Sequence, residues 1–221
     1  LGLGHKVFQY WTTPTPYRIP ITPAPYTFYG VVLRMMGELF LFKSLFKANK
    51  WIWVLGWTFH TSLLLVMLQH LIYFQQQPPL WIYHLQPYSQ LAAYPLLVSL
   101  GGLLLRRFVV DRVRYISSPS DFLMLFLLIA IVSTGLLMLL VWPANMYAVQ
   151  QYFTGLLRLT INPFPDQLVL YLHLILVLIL LLIFPFSKLL HAPGIFFSPT
   201  LNQADNRKQK QPPTMRKNPN E

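Results

Sequence analysis

Residues 167–190, which read QLVLYLHLILVLILLLIFPFSKLL, decide the fold class of this chain. The segment holds a single charged residue, Lys188, near its end and a single histidine, His173, near its beginning. A helix needs roughly 20 predominantly apolar residues to cross the hydrocarbon core of a bilayer. The segment therefore predicts a transmembrane helix.

Three further stretches, at about 51–75, 89–105 and 122–142, are also apolar enough to cross a bilayer, and the second is close to the lower length limit. Of the 221 residues, 55% are hydrophobic and only 10% are charged, whereas soluble domains carry about 25% charged residues. We predict an all-α integral membrane protein, an antiparallel transmembrane helix bundle with four intact spans.

The remaining segments divide the chain into four parts. Residues 1–11 read like the last turns of an earlier span, and we expect them to be the remnant of a first transmembrane helix. Residues 12–50 combine a proline-rich linker with a mixed apolar and charged stretch that suits a helix lying at the membrane interface. Residues 51–190 are the four-span bundle. Residues 191–221 are a cytoplasmic tail, and its polar end is expected to be disordered.

The net charge of +11 is distributed asymmetrically. Sixteen of the 17 basic residues fall in segments assigned to the inner side, and only Arg158 falls on the outer side. The positive-inside rule then predicts a multi-pass protein of the cytoplasmic (inner) membrane with a cytoplasmic C-terminus. The membrane orientation of the protein accounts for its positive charge, so the charge does not predict a nucleic-acid partner. The inner segments are 1–50, 106–121 and 188–221, and the outer ones are 76–88 and 143–166.

The chain contains no cysteine. It can form no disulfide, hold no thiolate-ligated iron–sulfur cluster and attach no haem through a C-x-x-C-H motif, so any haem is bound non-covalently. No nucleophile–base set, phosphate loop or carboxylate pair is evident in the spans. We therefore expect this chain to break no substrate bond by itself, and enzyme status to belong mainly to a larger complex.

Four histidines form two pairs. His60 and His70 lie in the first intact span, and His173 and His191 bracket the last. Eighteen residues make five whole helical turns, and ten residues leave two side chains about 80° apart, so each pair keeps to one side of its helix. Because the two spans are antiparallel, His70 and His173 are expected toward the outer side and His60 and His191 toward the inner side. Neutral imidazoles on facing helices suit iron, so we predict two haems with these axial ligands.

Two considerations weigh against this assignment. At 1.5 Å rise per residue the histidine separations are about 15 Å and about 27 Å, which do not match on straight helices unless Pro185 kinks the last span. A single intramembrane histidine is also often a helix–helix hydrogen-bonding residue. Four intramembrane histidines at matched depths are less easily explained as helix–helix hydrogen-bonding residues, because polar groups are costly in lipid.

Other residues are candidates for supporting roles. Lys188 and Arg34 could bind the propionates of the inner haem, although a solvated lysine needs no such role. Thr61, Ser62 or Ser133 could bond the second ring nitrogen of a ligand, and intrahelical bonding is the alternative for each. His84, in the predicted outer loop, could bond a quinone carbonyl. Its alternative is an ordinary surface histidine.

The ten- and eighteen-residue histidine spacings and the segment PFSKLLH at 185–191 resemble those of respiratory nitrate reductase gamma subunits and their relatives, which are five-helix di-haem b cytochromes. Within that superfamily, the segments 16–20, 38–46 and 197–202 resemble DsrM-like cytochrome b subunits of the sulfite-reduction-associated DsrMKJOP complex. If the lost first helix is counted, the spans that carry the histidine ligands are the second and the fifth. The ligands of that superfamily lie on the same two helices.

The resemblance implies a quinol-linked cytochrome with two haem b groups. It would carry electrons between quinone, with menaquinone expected, and a cytoplasmic iron–sulfur subunit similar to heterodisulfide reductase, in dissimilatory sulfur metabolism. Further membrane and periplasmic cytochrome subunits would complete the complex. The alternatives are a nitrate reductase gamma subunit proper, the cytochrome b of a membrane heterodisulfide reductase, a haem-free membrane anchor, or a transporter whose histidines relay protons.

Overall fold

The structure is a computed structural model that describes residues 2–14, 20–21 and 23–205, and within these residues it contains helices and no β-strand. Short 3-10 turns at Leu71–Phe74, Phe184–Phe186, Lys188–Leu190 and Ile195–Phe197 connect some of the helices. In chain order the α-helices are α1 (Gly2–Thr12), α2 (Phe28–Leu41), α3 (Lys43–Ala48), α4 (Lys50–His70), α5 (Leu80–Val109), α6 (Asp111–Ile116), α7 (Pro119–Leu140), α8 (Met146–Leu157), α9 (Leu168–Ile183), α10 (His191–Gly194) and α11 (Pro199–Asn202).

Four helical segments are long and apolar enough to cross a membrane: Lys50–Phe74, Leu80–Val109, Pro119–Leu140 and Leu168–Phe186. Many of their large apolar side chains point outward. In the last segment, for example, Leu168 is 81% exposed and Leu182 is 75% exposed. Lipid chains can cover such a surface at no hydrophobic cost, and a helix satisfies its own backbone groups there. The predicted all-α fold class with four spans is confirmed.

The second span is longer than predicted. Helix α5 has 30 residues and begins at Leu80, so most of the predicted outer loop at 76–88 is helical. Pro87 and Pro95 lie inside the helix, and membrane helices tolerate proline because their neighbours re-satisfy the freed backbone groups. The prolines and the nearby polar residues lower the hydropathy of the first turns, so the hydropathy pattern did not predict that they are helical. The predicted outer loop at 143–166 likewise contains α8.

The last span ends earlier than predicted. Helix α9 stops at Ile183 and passes into the 3-10 turn that contains Pro185, after which Ser187 is extended, with φ −100° and ψ 166°. Proline has no amide hydrogen and its ring collides with the carbonyl four residues earlier, so Pro185 weakens the α-helix at the point where α9 ends. The prediction that His173 and His191 share one face of a continuous helix is therefore wrong.

The chain forms two compact units, Leu1–Ala48 with Leu182–Glu221, and Asn49–Leu181. In the first unit the C-terminal segment folds against N-terminal residues. The Tyr10 and Phe197 ring centroids are 5.9 Å apart, and the Ile21 amide donates to the Thr200 carbonyl at 3.1 Å. Part of the tail expected to be disordered thus forms α11. Residues 206–221 of the tail lie outside the described residues.

In the second unit α5 packs against both α4 and α7. Its side chains Ile82, Leu96 and Leu100 are almost fully buried. A Cβ built on Gly102 would lie 3.0 Å from a methyl group of Leu55 on α4, so the absence of a side chain lets the two helices approach closely. Helix α5 is therefore the central helix of this unit.

A buried carboxylate anchors the start of α7. Asp121 is 7% exposed and accepts hydrogen bonds from the Ser118 amide and hydroxyl, both at 3.0 Å. Arg107, near the end of α5, lies 3.7 Å from the same carboxylate and donates to the Ser117 hydroxyl at 2.6 Å. The capping box and the ion pair together join the ends of α5 and α7.

Candidate functional site

His70 and His173, predicted as the outer ligand pair, lie close together in the second unit. His70 is the last residue of α4, and His173 is in the second turn of α9. Their ring centroids are 6.4 Å apart, and the ring planes are inclined at only 14°. Both rings are half-buried. Two helices distant in sequence thus present nearly parallel imidazoles to each other.

This spacing fits a metal held between the two rings. With metal–imidazole bonds of about 2 Å, as in zinc sites, the centroids of two imidazoles that share one ion lie roughly 6 Å apart. In the described part of the chain, no group of three or more His, Cys, Asp or Glu side chains could hold a metal ion. Two histidines are also the donor set that a haem iron takes from a protein when both of its axial ligands are imidazoles.

The Nδ1 atoms of three of the four predicted ligands bond backbone carbonyls. A carbonyl oxygen can only accept a hydrogen bond, so the proton of each neutral ring sits on Nδ1 and Nε2 carries the lone pair. Metal-ligating histidines commonly have this arrangement, because the bond fixes both the tautomer and the ring orientation. The pairs are His60 with the Gly56 carbonyl at 2.7 Å, His70 with the Val66 carbonyl at 2.7 Å, and His191 with the Lys188 carbonyl at 2.9 Å.

The Nδ1 atom of His173 lies 2.9 Å from the Thr134 hydroxyl on α7. That hydroxyl also lies 3.0 Å from the Ala130 carbonyl and 2.9 Å from the Ile131 carbonyl. When the single hydrogen of this hydroxyl is donated to one of these carbonyls, the oxygen can accept a hydrogen bond from the His173 Nδ1–H. The hydroxyl partner observed for His173 is thus next to Ser133, one of the candidates from the sequence.

His60 and His191, predicted as the inner pair, belong to different compact units, so each is described separately. His60 is half-buried on α4, and its ring meets the Phe59 ring edge-on at 4.7 Å between centroids. His191 begins α10 and is exposed. It borders a cavity of about 440 Å³ in the first unit. Their pairing stays a prediction.

The two predicted cationic residues both lie in the first unit. Lys188 borders the same cavity as His191, together with Tyr10 and Phe197. Arg34, on α2, has a buried Nη1 atom with no hydrogen-bond partner among the described residues. A buried guanidinium nitrogen without an acceptor is unfavourable. It is therefore a place where an anionic group could bind.

His84 does not lie in a loop. It is exposed on the second turn of α5. Gln69, which directly precedes His70, was not among the predicted site residues, yet its Oε1 atom is buried and has no hydrogen-bond partner among the described residues. The Oε1 atom of Gln167, just before α9, is also buried and has no hydrogen-bond partner among the described residues. These two glutamines can be recognised only from the structure, by a buried polar atom that has no partner.

Residues 24–202 match the nitrate reductase gamma subunit family. The chain belongs to this family. Two similar proteins carry the name Hdr-like menaquinol oxidoreductase cytochrome b-like subunit. The one from Archaeoglobus fulgidus is 30% identical, over 94% of this chain and 76% of that protein. The one from Archaeoglobus profundus is 27% identical, over 95% of this chain and 76% of that protein.

Membership of the nitrate reductase gamma subunit family agrees with the four apolar helices, and the chain is a multi-pass membrane protein. The matched range includes all four predicted histidine ligands and both predicted cationic residues. It also includes Thr134. The residues that make up the candidate site therefore all lie within the part of the chain that defines the family.

Proposed function

We propose that this chain is a di-haem b membrane cytochrome that passes electrons between the menaquinone pool and a cytoplasmic iron–sulfur subunit. The observation that carries the proposal is the His70–His173 pair, with centroids 6.4 Å apart and nearly parallel rings. Bis-histidine ligation needs two imidazoles on facing helices at about this separation. A haem-free anchor would have no use for them.

In this proposal His70 and His173 hold the outer haem, and His60 and His191 hold the inner one. Haem b, when bound, supplies a one-electron redox centre. The chain's own residues hold the ligand rings in one tautomer, through the Nδ1 bonds to carbonyls and to Thr134. They also exclude water, because the spans carry mainly apolar side chains. Both effects tune a haem potential.

The first unit supplies cations for the propionates of the inner haem. Arg34 offers a buried Nη1 atom that needs an acceptor, and Lys188 borders the cavity at His191. A carboxylate is the acceptor that a guanidinium binds most strongly, through charge-assisted hydrogen bonds. We therefore assign Arg34 and Lys188 to propionate binding.

The redox partners are inferred from the relatives. The two Archaeoglobus proteins are named as subunits of an Hdr-like menaquinol oxidoreductase, which supports menaquinol as the electron-exchange partner and a heterodisulfide-reductase-like subunit as the soluble partner. We propose that the quinone binds near the outer haem, with His84 as a candidate to bond its carbonyl. The segments 16–20, 38–46 and 197–202 support the finer DsrM-like assignment to dissimilatory sulfur metabolism, with further membrane and periplasmic cytochrome subunits.

Spectroscopy of the purified full-length protein tests this proposal. The reduced-minus-oxidised spectrum should show b-type haem bands, and the pyridine haemochrome assay should give two haems per chain. A short-chain menaquinol analogue should then reduce both haems. A folded protein without haem bands would establish the membrane-anchor alternative. Two haems that menaquinol cannot reduce, but that a reduced iron–sulfur partner can, would contradict the quinol assignment alone.

A further inference from the structure

Among the four predicted ligands, His173 alone has a side chain as the Nδ1 partner that the structure gives. The Nδ1 atoms of His60, His70 and His191 bond carbonyls of their own chain segment, three or four residues earlier. The partner of His173 is the Thr134 hydroxyl, which stands on a different helix. A substitution can remove this partner while the backbone stays intact. The Ile131 carbonyl of α7 also bonds the His173 ring, so the Thr134 hydroxyl is the substitutable part of the contacts that orient this ring.

The Thr134 hydroxyl lies within hydrogen-bond distance of two carbonyls of its own helix, Ala130 at 3.0 Å and Ile131 at 2.9 Å. A hydroxyl that donates to one of these carbonyls has a lone pair left for the His173 Nδ1–H, which lies at 2.9 Å between Oγ1 and Nδ1. Thr134 is only 7% exposed, so little water competes for this bond. Hydrogen bonds in such low-dielectric surroundings are electrostatically stronger than in water.

The neighbouring glycine keeps the α7 backbone close to the same ring. A Cβ built on Gly135 would lie 3.6 Å from the His173 Cε1 atom, an ordinary van der Waals contact. Gly135 has no Cβ, so α7 approaches the His173 ring without a side chain between them at this position. The ring is oriented from α7 by the bond to the Thr134 hydroxyl.

We propose that Thr134 is the positioning residue of the outer haem, which keeps His173 in the tautomer that ligates through Nε2 and lowers the reduction potential of that haem. An acceptor at Nδ1–H makes the imidazole a more basic ligand. A more basic ligand stabilises the ferric state, which carries one more positive charge than the ferrous state, and so makes reduction less favourable. The inference rests on the proposed function, because it requires haem at the His70–His173 pair.

The test compares Thr134→Val with Thr134→Ser in the haem-loaded, full-length protein. Valine keeps the shape of threonine and removes the acceptor, whereas serine keeps the acceptor and removes the methyl group. A redox titration followed at the haem bands gives the potential of each haem, and electron paramagnetic resonance of the oxidised protein reports each ligand geometry. The inner haem serves as an internal reference, because the Nδ1 atoms of His60 and His191 bond backbone carbonyls.

With Thr134→Val we expect one haem to become easier to reduce, by about tenfold in the equilibrium constant, which is about 59 mV for a one-electron couple. Its low-spin ferric signal should shift, while the other haem stays as in the wild type. Thr134→Ser should resemble the wild type in both measurements. Equal shifts with valine and serine would show a packing role and overturn the inference, as would unchanged potentials with valine.

The failure of this inference can be distinguished from the failure of the proposed function. A folded wild-type protein without haem overturns both. Two haems in the Thr134→Val protein with unaltered potentials and signals overturn the positioning role of Thr134 alone. If valine leads to loss of one haem and serine keeps both, the hydroxyl is required for ligation by His173, and the inference is supported.

Discussion

The imidazoles of His70 and His173 lie 6.4 Å apart between centroids, and each is held by a different set of contacts. His70 ends α4, and the turn that follows it is bound by Gln150 of α8, whose amide donates to the Ile72 carbonyl at 3.1 Å and the Gln75 carbonyl at 2.7 Å. His173 is held from α7 by Thr134. The pair is thus fixed from both sides, as a preorganised ligand pair must be.

The first prediction concerns this outer pair. His70→Ala and His173→Ala should each lower the pyridine haemochrome count from two haems to one, and both should remove the same haem, identified by its potential in a redox titration. A haem that has lost one axial ligand is held by a single bond and is exposed to exchange. The matched control is His5→Ala, since His5 is exposed on α1 and has no assigned role. Loss of different haems from the two variants would contradict the pairing.

The second prediction concerns the inner pair. His60→Ala and His191→Ala should both remove the haem that survives in His70→Ala, because one haem needs both ligands. Combining His60→Ala with His70→Ala should remove all haem, since each pair then has a single histidine. If His191→Ala keeps two haems while His60→Ala loses one, another residue ligates the inner haem and the assignment of His191 is wrong.

Hydropathy and length were sufficient to predict the four spans, because a bilayer of fixed thickness imposes both on any helix that crosses it. The same reasoning misjudged two helix ends. Proline and polar residues near Pro87 reduced the apolar signal where α5 actually begins. The apolar run through Pro185 continued the signal where α9 actually ends. Hydropathy measures transfer from water and carries no information about backbone hydrogen bonding.

The candidate site could be predicted in part. Helix direction and depth place His70 near His173, and the rings do lie close together, while their role as haem ligands is a proposal. The hydroxyl beside His173 could not be chosen from the sequence. Adjacent residues on a helix point about 100° apart, so whether Ser133 or Thr134 faces α9 depends on how α7 is rotated in the bundle. Tertiary packing determines that rotation.

The third prediction concerns the stability of the junction between α5 and α7. Asp121→Ala should lower the free energy of unfolding by about 1–3 kcal/mol. The substitution removes the carboxylate that accepts from the Ser118 amide and hydroxyl and pairs with Arg107. The control is Asp111→Ala, which removes the same charge from an exposed ion pair with Arg114 and should cost less than about 1 kcal/mol. Thermal unfolding in detergent measures both. If Asp121→Ala and Asp111→Ala lowered the free energy of unfolding equally, the burial of Asp121 would not contribute to stability.

The fourth prediction compares two glycine substitutions. A Cβ on Gly155 would lie 2.6 Å from the Asn162 amide nitrogen and 2.8 Å from the Thr160 carbonyl. Gly155→Ala should therefore destabilise the protein by about 1–3 kcal/mol, the usual cost of overpacking. A Cβ on Gly101, inside α5, would meet nothing within 4 Å, so Gly101→Ala should be stabilising by about 0.5–1 kcal/mol through helix propensity. Thermal unfolding that shows Gly155→Ala to be as stable as Gly101→Ala would contradict this account.

The last prediction concerns orientation, and the absence of cysteine from the chain makes the test clean. Tyr115 and Ile161 are both 91% exposed, but the charge distribution assigns Tyr115 to the cytoplasmic side and Ile161 to the outer side. In intact cells or spheroplasts, a membrane-impermeant maleimide should label the Ile161→Cys protein. It should label the Tyr115→Cys protein only after the membrane is disrupted. Because both positions are equally exposed, a difference in labelling reports the membrane barrier and not local burial. The opposite labelling pattern would invert the orientation and move the proposed iron–sulfur partner to the wrong side of the membrane, so the electron path through His191 would have to be abandoned.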